Sequence, residues 1–222
     1  MRRIPWAAEY LSQSASRVFE PAEKMGHWKE EKPEGKLHLE IGCGKGGYSA
    51  SMAALYPEDT FAAVEKNESA AGLAAKKFDE AALGNLSLIY GDGAELDQWF
   101  QPGEVDVIHL NFSDPWPKKR NAKRRLTAPA FLKQYHDLLS TKGQIVMKTD
   151  NPSLFEYSIM AFLAAGFEME EISVDFRREE HPEDPLTEYE QKFVSQGKPI
   201  YRSVWNNYHD WTENPESNLR KW

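Results

Sequence analysis

The chain has 222 residues, which is enough for one domain with a substantial hydrophobic core. Hydrophobic residues make up 41% of it, and no apolar run reaches the roughly 18 residues of a membrane-spanning helix. The formal net charge of −8 disfavours contact with polyanions over most of the surface. A single cysteine, Cys43, cannot form an internal disulfide, and the first residues do not resemble a signal peptide, so we expect a cytoplasmic protein.

Short β-rich runs alternate with helical patterns along the chain. This alternation predicts an α/β fold, with a mainly parallel seven-stranded sheet and helices on both faces, formed by residues 35–222. The predicted strands are residues 36–42, 60–66, 86–92, 105–112, 143–150, 171–176 and 200–205. The predicted helices are residues 48–56, 68–83, 94–100, 128–139 and 153–165, with one more beginning at Thr187. Residues 178–185 are interpreted as linker-like, and residues 1–34 as an N-terminal extension.

Acidic residues stand at the ends of five successive predicted strands. They are Glu40, Glu65, Asp92, Asp114 and Asp150. Ligands of open α/β sheets bind beyond the carboxyl ends of the strands, where the strand order reverses. Five acids at this edge exceed what packing requires, and we therefore expect a ligand site there.

A glycine-rich segment, EIGCGKGGY (40–48), joins the first predicted strand to the first predicted helix. Gly42, Gly44 and Gly47 fit the dinucleotide-binding pattern G-x-G-x-x-G, and Glu65 lies at the expected distance for a ribose-binding acid. The loop alone does not separate NAD from S-adenosylmethionine, and a turn that binds nothing is a further alternative. Glu40 favours S-adenosylmethionine, because a carboxylate repels a pyrophosphate and attracts sulfonium and ammonium groups.

Two further acids suit the same cofactor. Asp92 is expected to accept a hydrogen bond from an adenine amino group, and Glu65 to accept hydrogen bonds from both ribose hydroxyls. The alternative is that both residues only cap the helices that follow them.

The segment NFSDPWPKKRNAKRRL (111–126) places six cations among the eight residues from Lys118 to Arg125. Without these six, 21 Lys and Arg remain against 35 Asp and Glu, so the cluster stands out from an acidic chain. It predicts contacts with nucleic-acid phosphates, and a solvated basic loop is the alternative. Prolines on both sides of Trp116 favour an indole face presented to a base, whereas an indole packed under the loop is the other reading.

The motif DPWPKKRNAKRRL resembles the DPWPK-x-RH-x-KRR-like signature of the bacterial tRNA (guanine-N7-)-methyltransferases, with Asn121 in place of the usual His. LEIGCGKG, MKTDN and TEYE occur in the order and spacing of that family, so the resemblance runs from about residue 36 to 205. It implies a class I, Rossmann-like methyltransferase with S-adenosylmethionine as cofactor. It also implies a target, N7 of guanine 46 in the variable loop of tRNA.

The resemblance implies roles for particular residues. The expected cofactor contacts are Glu40, Gly42, Gly44, Glu65, Asp92 and Asp114, of which Asp114 is also the proposed catalytic residue. The expected guanine contacts are Lys118, Asp150, Thr187, Glu188, Tyr189 and Glu190. The expected RNA contacts are Lys119, Arg120, Asn121, Lys123, Arg124 and Arg125. The resemblance does not cover the N-terminal extension, whose role stays open and whose Arg2, Arg3 and Arg17 are further candidates for RNA contact.

Several alternatives stay open. Thr187 and Glu190 form a T-x-x-E capping box, which starts a helix with or without bound guanine. A carboxylate such as Asp114 or Glu190 either offsets charge that develops on the purine or accepts hydrogen bonds from guanine. The turn SDPWP is similar to that of amino-nitrogen methyltransferases, and a tRNA-binding module without catalysis is a second rival. The six histidines lack metal-ligand spacing, so no metal is expected, and both monomer and homodimer are compatible with the sequence.

Overall fold

A computed structural model describes residues 3–208, apart from the side chain of Glu188. Arg2 and the predicted Glu188 side-chain contact therefore lie outside the described residues. The strands are β1 Arg17–Val18, β2 Leu37–Ile41, β3 Thr60–Glu65, β4 Leu86–Tyr90, β5 Val105–Asn111, β6 Leu139–Thr149, β7 Glu168–Ser173 and β8 Tyr201–Asn206. The helices are α1 Pro5–Leu11, α2 Gly47–Leu55, α3 Glu68–Ala81, α4 Pro129–Leu138, α5 Pro152–Ala164 and α6 Glu188–Val194. Short 3₁₀ helices cover Pro21–Lys24, Gly93–Gln98, Lys119–Arg124 and Phe176–Arg178.

The strands form one sheet in the order β1-β4-β3-β2-β5-β6-β8-β7. β1 to β6 pair in parallel, whereas β8 lies antiparallel between β6 and β7. From β2 the chain builds outward through β3 and β4, and it then returns to add β5 on the other side of β2. The strand order therefore reverses between β2 and β5, whose following loops are the glycine-rich segment and SDPWP.

The predicted α/β class and mainly parallel sheet are confirmed, but the sheet has eight strands rather than seven. The strand missed by the sequence is β1, whose two residues are too few to show any periodicity. β7 begins at Glu168 instead of residue 171, because the charged residues that open this edge strand hide its pattern. The predicted helix at 94–100 is a 3₁₀ helix, Gly93–Gln98.

Alternating side chains of the strands build a hydrophobic cluster on each face of the sheet. In β3, Ala62 and Val64 join the cluster that includes α4 and α5, whereas Phe61 and Ala63 join the cluster that includes α2 and α3. All five residues of β2 are buried, as expected for a central strand covered on both faces. The two layers of helices cover β2 and β5 on both faces, and the functional loops follow the ends of these buried strands.

The segment before β2 packs on the same domain. The backbone amide of Ile4 donates a hydrogen bond to Ser69 Oγ in α3 at 2.9 Å. The buried indole of Trp28 stacks on Phe100 with 4.9 Å between ring centroids, and its Nε1 donates to the carbonyl oxygen of Trp99 at 2.9 Å. Across residues 3–208, no helix combines the length and apolar character needed to cross a bilayer.

Candidate active site

The glycine-rich loop after β2 leaves its backbone open to approach. Gly42 and Gly44 have φ angles of 77° and 58°, a left-handed conformation that side chains disfavour. A Cβ atom added to either residue has no atom within 4 Å, so both face open space. The amide of Gly42 donates to the carbonyl oxygen of Val64 at 2.8 Å, which ties the loop to the end of β3. A ligand can therefore lie directly against this backbone.

Glu65, the last residue of β3, fixes the loop from the other side. Its carboxylate accepts hydrogen bonds from the amides of Gly44 at 2.9 Å and Asn67 at 2.7 Å. The N-cap of α3 is Asn67, whose side chain accepts from Ala70 N, and Glu65 therefore does not cap the helix. Because a carboxylate has about four acceptor positions, Glu65 retains capacity for ligand hydroxyls.

Three of the predicted cofactor acids share one cavity of about 210 Å³, which we call the acidic cavity. These acids are Glu65, Asp92 and Asp114, and the other lining residues include Gly42, Lys66, Phe112, Trp116 and Arg124. The ammonium group of Lys66 lies 3.6 Å from Asp92 Oδ2, at a position where both side chains are about half exposed. Asp92 also caps the 3₁₀ helix by accepting from Ala94 N at 3.2 Å, so its capping role and a ligand role are compatible. Carboxylate oxygens in a cavity of this kind suit hydroxyl, amino and cationic groups, as the sequence predicted for S-adenosylmethionine.

The SDPWP loop, which carries Asp114, has a strained backbone. Phe112 and Trp116 have φ angles of 50° and 41°, and such conformations cost about 1–3 kcal/mol each. Arg125 holds the loop, since its Nε donates to the carbonyl oxygen of Pro115 at 3.0 Å and its Nη2 to that of Trp116 at 3.2 Å. The same guanidinium lies 4.2 Å from the ring centroid of Tyr157. Arg125 therefore makes its hydrogen bonds within the protein, and it fixes the position of the loop that carries Asp114.

The indole of Trp116 is half-buried and lines the acidic cavity. The guanidinium of Arg124 lies 3.8 Å from the ring centroid and covers one face of the indole. A base can therefore stack on this side only after Arg124 moves, or it can stack on the guanidinium itself.

A second cavity, of about 480 Å³, adjoins the first, because Gly42 and Phe112 line both. Its walls also include Glu40, Gly44, Asn111, Thr187 and Tyr189. The buried Glu40 carboxylate accepts hydrogen bonds from Ser49 Oγ and from Asn111 Nδ2, the latter at 3.0 Å. Burial raises the pKa of Glu40, and these hydrogen bonds offset part of that shift.

The start of α6 forms one rim of the second cavity. The capping box predicted from T-x-x-E is confirmed: Glu190 N donates to Thr187 Oγ1 and Thr187 N donates to Glu190 Oε2, both at 2.9 Å. Tyr189 is 56% exposed, and its ring lies 5.7 Å from that of Phe112 and 5.3 Å from that of Phe193. This rim therefore offers an aromatic surface to a planar ligand.

Glu190 itself lies beneath the rim and lines neither cavity. Its fully buried carboxylate contacts Lys148 Nζ at 3.3 Å and Arg177 Nη2 at 2.9 Å. Asp184 completes the group, at 2.5 Å from Lys148 Nζ and 2.8 Å from Arg177 Nη2. We call Lys148, Arg177, Asp184 and Glu190 the buried charge cluster. Its two cations and two carboxylates are mutually neutralised.

Of the four members of this cluster, only Glu190 was predicted from the sequence as a site residue. Lys148 lies in the MKTDN motif but was given no role. Asp184 lies in residues 178–185, the stretch interpreted as linker-like, yet it is only 5% exposed. The sequence around Asp184 does not distinguish it from Glu180 and Glu183. It is buried because β6 and α6 place the other members of the cluster next to it. Arg177 likewise carries no motif around it.

The cationic segment follows directly after the SDPWP loop. Lys118, Lys119, Arg120 and Lys123 are exposed, and Asn121 is half-buried. Asp150 is half-buried beside Asn151, which caps α5 by accepting from Leu154 N at 2.8 Å. Of the predicted guanine contacts, Thr187 and Tyr189 line the second cavity, whereas Lys118 and Asp150 line neither cavity. Within residues 3–208, no three His, Cys, Asp or Glu side chains are grouped so as to hold a metal ion.

Comparison with solved structures shows the fold. A 16S rRNA methyltransferase, KamB, superposes with a TM-score of 0.62 at 14% sequence identity, covering 82% of this chain and 92% of that chain. A SAM-dependent methyltransferase from Aquifex aeolicus gives a TM-score of 0.56 at 13% identity, covering 92% and 99%. At such identities the likeness concerns the fold alone, which is the class I, Rossmann-like methyltransferase fold.

Comparison of sequences is more specific. A family model described as "Putative methyltransferase" matches residues 34–203. A tRNA (guanine-N(7)-)-methyltransferase of Exiguobacterium sibiricum is 43% identical over 204 residues, covering 91% of this chain and 96% of the relative. A protein of the same name from Lactococcus lactis is 43% identical over 206 residues, covering 91% and 95%. The chain thus belongs to the tRNA (guanine-N(7)-)-methyltransferase family.

Proposed function

We propose that this protein transfers the methyl group of S-adenosylmethionine to N7 of a guanine in tRNA, at position 46 of the variable loop, and acts in the cytoplasm. The observation that carries the proposal is the adjacency of two unlike surfaces. An acidic cavity holds Glu65, Asp92 and Asp114, and the cationic segment from Lys118 to Arg125 begins only a few residues beyond Asp114. A cationic methyl donor suits the first surface, and a phosphate backbone suits the second.

The residues of the site fit the cofactor. S-adenosylmethionine supplies an electrophilic methyl group on a sulfonium cation. Glu65 and Asp92 offer carboxylate oxygens to ribose hydroxyls and to an adenine amino group, and the open backbone at Gly42 and Gly44 permits close contact. Glu40 adds a buried carboxylate at the wall of the adjoining cavity, where it would attract the ammonium group of the donor's methionine part.

Guanine N7 carries an in-plane lone pair, so no proton has to leave before it attacks a methyl group. The protein must therefore align the nucleophile with the methyl group and stabilise the positive charge that passes to the purine. Asp114 stands on a strained loop fixed by Arg125, at the wall of the acidic cavity. In our proposal its carboxylate acts electrostatically on the purine, or orients it by accepting hydrogen bonds from N1–H and the amino group.

Tyr189 supports the placement of the base. Its exposed ring lies beside Phe112 at the rim of the second cavity, and Phe112 also lines the acidic cavity. Stacking of a base on an aromatic ring is worth about 1–3 kcal/mol. Thr187, Lys118 and Asp150 are proposed as further guanine contacts on the strength of the family motifs alone.

The cationic segment is proposed to hold the tRNA backbone. Lys119, Arg120 and Lys123 are exposed on a 3₁₀ helix and meet no carboxylate that compensates them in the part of the chain described here. If about four to six phosphates are neutralised, affinity falls with salt at a log–log slope of roughly −3 to −5. Binding that does not change with salt contradicts this part of the proposal.

The direct test is methyl transfer from labelled S-adenosylmethionine to an unmodified tRNA transcript. N7-methylguanine is a charged purine, and borohydride followed by aniline cleaves the RNA at that position. We expect label at one cleavable guanine in the variable loop. A labelled but uncleavable product points to methylation of an amino nitrogen, and tight tRNA binding without label points to a module without catalysis.

A further inference from the structure

Asn111, the last residue of β5, faces the buried carboxylate of Glu40. Its Nδ2 lies 3.0 Å from Glu40 Oε1. An ionised carboxylate only accepts hydrogen bonds, so the amide must point its NH₂ group at Glu40. This contact fixes the orientation of the amide and turns Oδ1 away from Glu40.

The oxygen atom placed in this way has no partner. Asn111 is only 8% exposed, and its Oδ1 is buried without a hydrogen bond from any residue between 3 and 208. Buried polar side-chain atoms are bonded in the large majority of cases, because an unpaired acceptor costs the desolvation of that group. Asn111 lines the second cavity, so a ligand in this cavity can supply the missing donor.

The surroundings favour a cationic donor. Glu40 places a carboxylate within hydrogen-bonding distance of the same amide, and the loop at Gly42 and Gly44 forms the adjacent wall. Lys148 lies close enough to Glu40 to interact with it, but its charge is offset by Asp184 and Glu190. Lys45 and Lys192 also line the second cavity. A buried acceptor without a partner, next to the Glu40 carboxylate, suits an ammonium group, which brings three donors and one positive charge.

We propose that Asn111 Oδ1 accepts a hydrogen bond from the α-ammonium group of the methyl donor, and that Asn111 and Glu40 together bind this group. Asn111 is then a cofactor-binding residue beyond those implied by the family motifs. The inference rests on S-adenosylmethionine as donor and is independent of the tRNA position that is methylated.

The test measures equilibrium binding of S-adenosylhomocysteine and of its deaminated analogue, in which hydrogen replaces the α-amino group. We define the deamination penalty as the dissociation constant of the deaminated analogue divided by that of S-adenosylhomocysteine. We expect Asn111→Leu to reduce this penalty by about tenfold relative to the unaltered protein, the usual effect of one hydrogen bond to a charged group. Asn111→Ser keeps a hydroxyl group near Glu40 but removes the amide oxygen, and we expect it to reduce the deamination penalty by a similar factor. This second variant provides the test if Asn111→Leu does not fold.

The matched control is Ser49→Ala, which removes the other hydrogen bond to Glu40 and lines neither cavity. The proposal is supported if the factor by which the deamination penalty falls is at least three times larger in the Asn111 variants than in Ser49→Ala. Equal reductions in all three variants overturn it, since Asn111 then acts only by holding Glu40. An unchanged penalty in both Asn111 variants also overturns it.

A second arm separates the cofactor from the substrate. A tRNA with inosine at the target position lacks the guanine amino group, and its methylation is compared with that of normal tRNA. If the Asn111 variants abolish the difference between these two RNAs and leave the deamination penalty intact, the donor is the guanine amine and the proposal is overturned. The binding measurement uses no RNA, so its result remains valid even if the methylated guanine lies elsewhere in the tRNA.

Discussion

Lys148 Nζ and Glu190 Oε2 lie 3.3 Å apart, and neither side chain is exposed to solvent. Their pairing links β6 to the first turn of α6, where Thr187 and Tyr189 reach the rim of the second cavity. Glu190 therefore lies beneath the rim that we propose as the binding surface for the base. Its two oxygens are occupied by Lys148, Arg177 and the amide of Thr187, so this arrangement favours a positioning role over direct contact with guanine.

Replacing Lys148 with methionine is expected to destabilise the protein by about 3–5 kcal/mol, because it leaves Asp184 and Glu190 with a single cation in a buried environment. Urea unfolding measures this change. The control is Lys142→Met in the same strand, where the exposed side chain predicts a change within about 0.5 kcal/mol. Equal stability of the two variants contradicts a structural role for the cluster.

Asp114→Asn keeps the size of the side chain and removes its charge. We expect kcat to fall by about 10²–10³-fold, the usual loss when a charge-stabilising group is removed, with tRNA affinity nearly unchanged. Single-turnover kinetics and a binding titration separate the two effects. Asp97→Asn makes the same change at an exposed site outside both cavities, and it should retain full activity. A tRNA affinity that falls as far as kcat argues against the assigned role.

Arg125 and Arg120 belong to the same cationic run, yet the structure gives them different surroundings. Arg125→Gln removes hydrogen bonds to the carbonyl oxygens of Pro115 and Trp116, so we expect it to lower kcat by releasing the strained loop. Arg120→Gln changes an exposed cation, so we expect weaker tRNA binding and a salt slope smaller by about one unit. Binding as a function of salt and single-turnover rates distinguish them. Identical profiles for the two variants contradict this division.

Two stacked histidines predict a pH-dependent stability. His38 Nδ1 lies 2.9 Å from His109 Nε2, and burial lowers the pKa of both rings. His38 and Lys148 lower the pKa of His109 further. As pH falls below about 6.5, the unfolded chain binds protons that the folded protein does not, so stability decreases by up to about 1.4 kcal/mol per pH unit and histidine.

Urea unfolding at pH 7.5 and 5.5 measures this dependence. His109→Gln is expected to lose less stability between the two pH values than the unaltered protein, because one of the buried rings is gone. His27→Gln changes a side chain that is 60% exposed and should follow the unaltered protein. If His109→Gln loses as much stability between pH 7.5 and 5.5 as the unaltered protein does, groups other than His109 are responsible for the pH dependence.

The sequence by itself determined the features that depend on local pattern. Period and length indicated β2 to β6 and the helices between them, because buried parallel strands are continuous apolar runs. The glycine pattern, the acids at the strand ends and the TEYE capping box were visible because each is a short motif whose geometry is set by nearby backbone. The cationic segment was visible from charge alone.

Only the tertiary structure decided which of these residues act together. The reversal of strand order between β2 and β5 places Glu40 against Asn111, and β6 and α6 bring Lys148 to Glu190. The tertiary structure also divides the cationic run into exposed side chains and Arg125, which is hydrogen-bonded to the SDPWP loop. The physical reason is that burial and pairing depend on partners far away in the chain, so residues of one type in one motif can have opposite roles.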